Sequence, residues 1–212
     1  MKDVHEISKS VLRRLPIYLA YLRSLPESSG DHISATALAK ALNMGQVQVR
    51  KDLAMISDGG KPKVGYDRVA LMEDIASFLG YNNTNDAVLI GAGKLGQALM
   101  GYDGFAEYGL NILAAFDEEP PEAGMTSGGK PIYPIERLPH FCEQQQMLLG
   151  IITVPKEQAQ QVCDLLIECG VKAIWNFAPT HLKVPDGILV QNENMATSLA
   201  VLSKHLAAQM KI

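Results

Sequence analysis

Three features of the 212-residue chain predict an α/β fold in two parts: helices joined by short turns up to about residue 80, strands alternating with helices after it, and a change of hydrophobic period between the two. Apolar residues three and four apart mark helices, whereas continuous apolar runs bounded by glycine or proline mark buried strands. Strands alternating with helices argue a doubly wound parallel sheet. The boundaries expected from these patterns are a first domain at 1–80, a second at 81–192 and a terminal helical segment at 193–212.

Leu12, Leu15, Leu19 and Leu22 form a helical stripe, and Pro16 reads as a first-turn proline, where a missing N–H does no harm. "LPESSGD" closes that helix. Ser34 stands as N-cap for "ATALAKAL", "NMG" breaks the pattern, and a second helix runs from Gln46 to about Met55. Val49, Leu53 and Ile56 mark its inner face; Gln48 and Lys51 lie on the other side, with Val47 and Arg50 beside them. Two short helices joined by a tight turn containing Gly45 read as a helix-turn-helix, spanning about 17–56. "SDGGKPKVGYDRVAL" is turn-rich and leads into short strands, as the basic-tipped wing of a winged helix would. "LMEDIASFLG" is a further helix, and "YNNTND" reads as the linker.

Beyond it, "AVLI" (87–90), "LNILAAF" (110–116), "MLLGIITVP", "VKAIWNF" and "GILVQ" read as strands, with "KEQAQQVCDLLIECG" a helix. From Met195 to Met210, Leu199, Leu202 and Leu206 lie on one face of an amphipathic helix that must pack on something.

Composition narrows the classes. With 47% hydrophobic and 20% charged residues the chain reads as an ordinary globular protein. Its longest apolar run is strand-sized and its first residues lack an apolar signal core, so no transmembrane helix and a cytoplasmic location are expected. Three cysteines without a C-x-x-C and five scattered histidines predict neither a disulfide framework nor a metal site. The net charge is −4, yet residues 1–66 carry ten basic against six acidic side chains. That asymmetry suggests a local polyanion site in the first third, although a difference of this size also arises by chance.

Gly91, Gly93 and Gly96 form G-x-G-x-x-G between a strand and a helix. Glycines there permit a tight turn and bring backbone N–H groups against a pyrophosphate at the helix start. Asp117 ends the next strand, 21 residues after Gly96, where a carboxylate accepts from adenine-ribose hydroxyls and repels a 2′-phosphate; NAD(H) is therefore expected over the phosphorylated form. A dehydrogenase would also need an acid or base near its substrate. There is no Tyr-x-x-x-Lys, His140 and His181 stand without a readable partner, and few residues remain for a substrate domain. The nucleotide is thus expected to be sensed rather than used, and no catalytic residue is assigned.

In this order and spacing, "RRLPIYL" (13–19), "RKDL" (50–53), "KVGYD" (63–67), "GAGKLGQAL" (91–99), "AAFDEEP" (114–120), "TVPKEQAQ" (153–160) and "GVKAIWNFAPTHLKVP" (170–185) make the chain resemble the Rex redox-sensing transcriptional repressors over essentially its whole length. The resemblance implies a homodimer with an N-terminal winged helix, a Rossmann core and a C-terminal helix swapped onto the partner. NAD+ would permit binding to a palindromic operator, and NADH would release it. It implies a nucleotide site made of Gly91, Ala92, Gly93, Lys94, Leu95, Gly96, Asp117, Thr153, Val154, Pro155, Asn176, Phe177 and Tyr102. It implies a DNA interface made of Gln46, Gln48, Arg50, Lys51, Lys61, Lys63, Gly65 and Tyr66.

Departures accompany it. Where the family has Arg and Asp, this chain has Ala20 and Asn194, and the wing reads Lys61-Pro62-Lys63 in place of Lys-Arg-Gly. Two other readings therefore stand beside the repressor: a paralogue that binds NAD(H) but has lost DNA binding or redox switching, and a small NAD-dependent oxidoreductase. Arg50 also has a structural alternative, an ion pair with nearby Asp52.

Overall fold

The computed structural model describes residues 8–83, 85–122, 124–126, 128–193 and 195–210. The chain divides into two compact units, with the break between residues 83 and 84.

In the first unit, α1 (Lys9–Ser24) starts at Ser8, whose hydroxyl accepts from the Val11 N–H. Pro16 therefore lies inside the helix, not in its first turn as expected. It leaves the Leu12 carbonyl without its usual donor; the buried stripe of Val11, Leu15, Tyr18, Leu19 and Leu22 carries the helix through. The elements that follow are β1 (His32–Ile33), α2 (Ala35–Ala41), α3 (Gln46–Ile56), β2 (Tyr66–Asp67) and α4 (Arg68–Phe78). Ser34 caps α2 as expected, accepting from the Ala37 N–H at 3.0 Å. The turn into α3 passes through Asn43, which adopts a left-handed φ of +52°. Asp67 caps α4 by accepting from the Ala70 N–H, which starts that helix earlier than its apolar pattern suggests. β1 and β2 pair antiparallel, His32 opposite Asp67 and Ile33 opposite Tyr66. Leu38 from α2, Val49 and Leu53 from α3 and Leu71 and Ile75 from α4 close one core with the α1 stripe.

The second unit contains β3 (Asn85–Ile90), α5 (Lys94–Met100), β4 (Leu110–Asp117), β5 (Ile132–Pro134), α6 (Leu138–Gln145), β6 (Leu149–Ile152), α7 (Lys156–Glu168), β7 (Ala173–Asn176), β8 (Leu189–Asn192) and α8 (Met195–Met210). The six strands are parallel, in the order β5-β4-β3-β6-β7-β8. This is the order of dinucleotide-binding sheets, and it reverses direction between β3 and β6, opening a crevice at the carboxyl ends of those strands. Val88 and Ile90 pack toward α6 and α7, against Leu138, Cys142, Ala159 and Leu166. Ala87 and Leu89 pack on the opposite face with Met100 of α5. The α/β class and parallel sheet are as expected; β5 and α6 are additional.

Cys142 and Cys163 are buried and Cys169 half-buried, all as free thiols. Burial pushes Cys142 up to about 12 and Cys163 up to about 11, so both stay protonated at neutral pH. Among the described residues, no helix is long and apolar enough to cross a membrane, and no cluster of His, Cys, Asp or Glu is arranged to hold a metal ion. α8 leaves its apolar side bare: Leu199, Leu202 and Leu206 are 62%, 63% and 54% exposed.

Candidate functional site

The three glycines of the loop after β3 are there for three different reasons. Gly91 has a φ of +101°, and a Cβ on it would lie 2.9 Å from Val154 Cγ1 and 3.0 Å from the Thr153 carbonyl carbon. Gly96 packs α5 onto the strand so closely that a Cβ would overlap the Gly91 carbonyl oxygen. Gly93 is exposed, with open space where a side chain would be. Two positions thus require glycine for packing, and the third leaves room for a ligand group against the backbone.

Asp117, at the end of β4, braces this loop. Its Oδ2 accepts from the Ala92 N–H at 2.5 Å and its Oδ1 from the Glu119 N–H at 3.0 Å. A carboxylate offers about four acceptor positions, so lone pairs remain for ribose hydroxyls. Thr153 closes the other side, its hydroxyl 2.7 Å from the Gly91 carbonyl oxygen and 3.0 Å from that of Ile90. A cleft of about 380 Å³ lies between them, lined by Gly91, Gly93, Asp117, Glu119, Thr153 and Pro155, with Val154 also at its edge. Lys94 is exposed and Leu95 half-buried in the first turn of α5. The cradle, the free space over Gly93 and the three consecutive acids Asp117, Glu118 and Glu119 fit a dinucleotide without a 2′-phosphate.

Asn176 has a different place from the one expected. Its side chain is 0% exposed. Its amide donates to the Ala178 and Thr180 carbonyls and to Asn192 Oδ1, while its own Oδ1 accepts from the Ala178 N–H. With both amide hydrogens and one oxygen lone pair engaged inside the fold, and no area exposed, it supports the turn after β7 rather than lining the cleft. Phe177, next to it, remains half-buried at the strand end.

In the first unit, α3 presents Gln46, Gln48, Arg50 and Lys51 to solvent while Val49, Asp52 and Leu53 face inward. Arg50 is not paired with Asp52. The Asp52 carboxylate, 3% exposed, is bound by Arg14 through Nε (2.7 Å) and Nη2 (2.9 Å) and by the Tyr18 hydroxyl (2.7 Å). This network pins α3 to α1, and spacing along the sequence did not reveal it. Burial, then the Asp52 carboxylate, pushes the Tyr18 hydroxyl up to about 12. Val47, between Gln46 and Gln48, is an apolar residue 67% exposed on the same side of α3.

The wing is a tight turn closed by Lys61 and Gly65, whose N–H and carbonyl pair at 2.9 Å. The Val64 N–H bonds the Lys61 carbonyl at 3.2 Å, which puts Pro62 second and Lys63 third in a β-turn, and Lys63 has a φ of +66°. That is the arrangement of a type II turn, where glycine is the usual third residue. Lys61 and Lys63 are both exposed at its tip. Gly65 and Tyr66 are structural: a Cβ on Gly65 would strike the Ile33 carbonyl, and Tyr66 is 8% exposed, its ring against Gly60. Burial pushes the Tyr66 hydroxyl up, partly offset by the Arg50 charge. The ring is therefore part of the core and not a DNA-facing group as expected.

Two family models match in succession, a putative DNA-binding protein N-terminus over residues 6–54 and a CoA binding domain over residues 82–180. The chain is 37% identical over 205 residues to the redox-sensing transcriptional repressor Rex of Bacteroides fragilis, covering 97% of this chain and 93% of that one. It is 39% identical over 191 residues to the repressor of the same name from Treponema denticola, covering 90% and 91%. The chain belongs to the Rex family. The crystal structure of RSP in complex with β-NAD+ and operator DNA superposes with a TM-score of 0.88 at 33% identity, covering 96% of this chain and 94% of RSP. RSP in complex with β-NADH gives a TM-score of 0.86 at 32% identity, covering 99% and 97%. Against the Rex pattern, Ala20 sits exposed on α1, Tyr102 is exposed after α5, and Asn194 lies outside the described residues. Lys63 keeps the left-handed backbone that the family's wing glycine would adopt freely.

Proposed function

We propose that this protein is a transcriptional repressor that senses the NADH/NAD+ ratio, binding a palindromic operator as a dimer when NAD+ is bound and leaving it when NADH replaces NAD+. It is a sensor and not an enzyme, and it acts in the cytoplasm, where operator and nucleotide meet. The observation that carries this reading is the coexistence in one chain of a glycine cradle braced by Asp117 and an exposed recognition face on α3. RSP, of the same fold and family, holds NAD+ together with operator DNA in one crystal and NADH in another. Gel shifts on Rex-type operators with each nucleotide test it: NADH should release the DNA that NAD+ tolerates. Equal binding with both would remove the sensor reading.

The nucleotide site is assigned to Gly91, Ala92, Gly93, Lys94, Leu95 and Gly96 for the pyrophosphate, Asp117 for the adenine ribose, and Thr153, Val154, Pro155 and Phe177 for the other half, with Tyr102 at its margin. Asp117→Ala should weaken NADH binding by about 1–3 kcal/mol, the scale of a charge-assisted hydrogen bond. Part of that loss comes from the Ala92 N–H left without its acceptor. Calorimetry giving parental affinity would displace Asp117 from the site.

The DNA contacts are assigned to Gln46 and Gln48 for base edges and to Arg50, Lys51, Lys61 and Lys63 for phosphate or minor groove. Lys63→Gly separates charge from backbone. Glycine accommodates the left-handed turn, so thermal stability should hold or rise. Operator affinity should fall, and its logarithmic salt dependence should flatten by about one unit, as for Lys51→Ala. An unchanged salt slope in both variants would take these lysines off the DNA.

A further inference from the structure

Aromatic rings run across the sheet face that carries α5. Phe177 follows β7 at the carboxyl edge of the sheet, its N–H bonded to the Ile152 carbonyl at 2.9 Å, next in sequence to Thr153 of the cleft. Its ring lies 4.8 Å from that of Trp175. Trp175 meets Phe105 edge-on at 5.6 Å, and Phe105 meets Tyr102 edge-on at 4.9 Å. From the other end of Trp175, the indole Nε1–H donates to Glu193 Oε1 at 2.9 Å. The Glu193 backbone N–H donates to the Asn176 carbonyl at 2.8 Å. Glu193 is thus tied to β7 twice, through backbone and side chain, immediately ahead of α8, which begins at Met195.

A dinucleotide lies across the switch point of such a sheet, one half on each side. The acids Asp117, Glu118 and Glu119 take the adenosine half on the β4 side, which leaves the β6–β7 side, and the Phe177 ring, to the nicotinamide. That ring is cationic in NAD+ and neutral in NADH. A cation near aromatic faces is favoured over a neutral ring, and a carboxylate accepting from the indole makes the Trp175 face richer in electrons. The oxidised ring therefore favours the arrangement in which Trp175 is held by Glu193, whereas the reduced ring loses that preference. A ligand shifts a conformational equilibrium only through such differential affinity.

We infer that the Glu193–Trp175 hydrogen bond is the latch through which the charge of the nicotinamide is felt at the start of α8. This deepens the sensor reading and rests on it. It also supplies a carboxylate beside the root of α8 in a chain whose position 20 is alanine and whose position 194 is asparagine. Glu193 acts through Trp175 and not on the nucleotide, so it is a positioning residue.

The chain has one tryptophan, so full-length ¹⁵N-labelled protein gives a single indole N–H signal in an NMR spectrum, a direct probe of this bond. In the parent protein the signal should differ between saturating NAD+ and saturating NADH. Glu193→Ala should move it upfield and abolish the difference, with NADH still binding as in the parent by calorimetry and NAD+ binding more weakly. Glu193→Gln keeps an acceptor oxygen and should hold the signal near its bonded position. In gel shifts with NAD+, Glu193→Ala should bind operator DNA about tenfold more weakly, the equilibrium effect of one such bond, and come close to its binding with NADH. Trp175→Phe, which keeps an aromatic ring of smaller size and removes the donor, should behave alike and guards against a folding defect peculiar to the Glu193 variants. An indole signal indifferent to the nucleotide's redox state, or parental operator binding with NAD+ by both Glu193→Ala and Trp175→Phe, overturns the latch. Failure of the parent to bind either nucleotide in calorimetry overturns the sensor reading and the latch together. Binding of both with an unresponsive indole overturns the latch alone.

Discussion

Asp52→Ala is expected to destabilise the DNA-binding unit by about 3–5 kcal/mol, the cost of stripping one partner from a buried ion pair. Asp52 lies on the inner face of α3, and its two oxygens take Arg14 in a bidentate grip and the Tyr18 hydroxyl besides. Removing it strands a half-buried guanidinium and a fully buried phenol. Small domains have a total stability of only about 5–15 kcal/mol, so a large part of this one's would be lost and operator binding with it. Nucleotide binding, assigned to the other unit, should persist, which separates this outcome from general misfolding. Thermal melts with calorimetry on the same sample check both halves. Arg14→Lys should not rescue the contact, because an ammonium cannot reproduce the fork. A melt of Asp52→Ala within about 1 kcal/mol of the parent would reduce the network to a surface-like pair.

The same network sets an alkaline limit. The Tyr18 hydroxyl is held up to about 12 in the folded state, against an ordinary value near 10, first by burial and then by the Asp52 carboxylate. A group whose folded pKa is raised contributes fully below its unfolded pKa, and that contribution fades as pH climbs to the folded one. The first unit should therefore lose stability between about pH 10 and pH 12, and Tyr18→Phe should remove that portion of the pH dependence.

What the sequence revealed follows from the range of each interaction. The glycine loop, the Ser34 cap and the inner face of α3 depend on residues within a few positions of one another, so spacing alone displays them. The Arg14–Asp52 pair joins residues 38 apart, and the Trp175–Glu193 bond residues 18 apart; neither leaves a periodic trace. β5 has three residues, following Pro131 and ending on Pro134, too short for alternation to register, and only its pairing with β4 makes it a strand. Pro16 misplaced the start of α1 because local propensity favours a first-turn proline, whereas the packed stripe around it overrides that preference. Tyr66 and Asn176 sit beside motif residues with open surroundings, and only burial separates a ring or amide that meets a ligand from one that supports the loop.

Ending the chain at Glu193 is expected to convert a dimer to a monomer and to lower operator affinity by on the order of 10²-fold or more, because two linked half-site contacts become independent ones. The cut removes α8 while sparing the Asn192–Asn176 and Glu193–Trp175 bonds, so the sheet edge stays intact. The argument starts from bare surface. Leu199, Leu202 and Leu206 project from α8 with more than half their area exposed, joined by Val201 and Met210. A helix of 16 residues has little stability in water by itself, and its apolar side needs a partner. On the sheet, Leu189 of β8 is 72% exposed, an apolar surface of the same unit that a second copy can cover. Exchange of α8 between two copies would bury both surfaces by one symmetric operation. Size-exclusion chromatography with light scattering reads the oligomeric state across a dilution series, and operator titrations read the affinity. The truncated chain should also be less soluble, since the surface that α8 covered is now open. If it remains a well-behaved dimer with parental operator affinity, α8 is not the element that joins the two subunits.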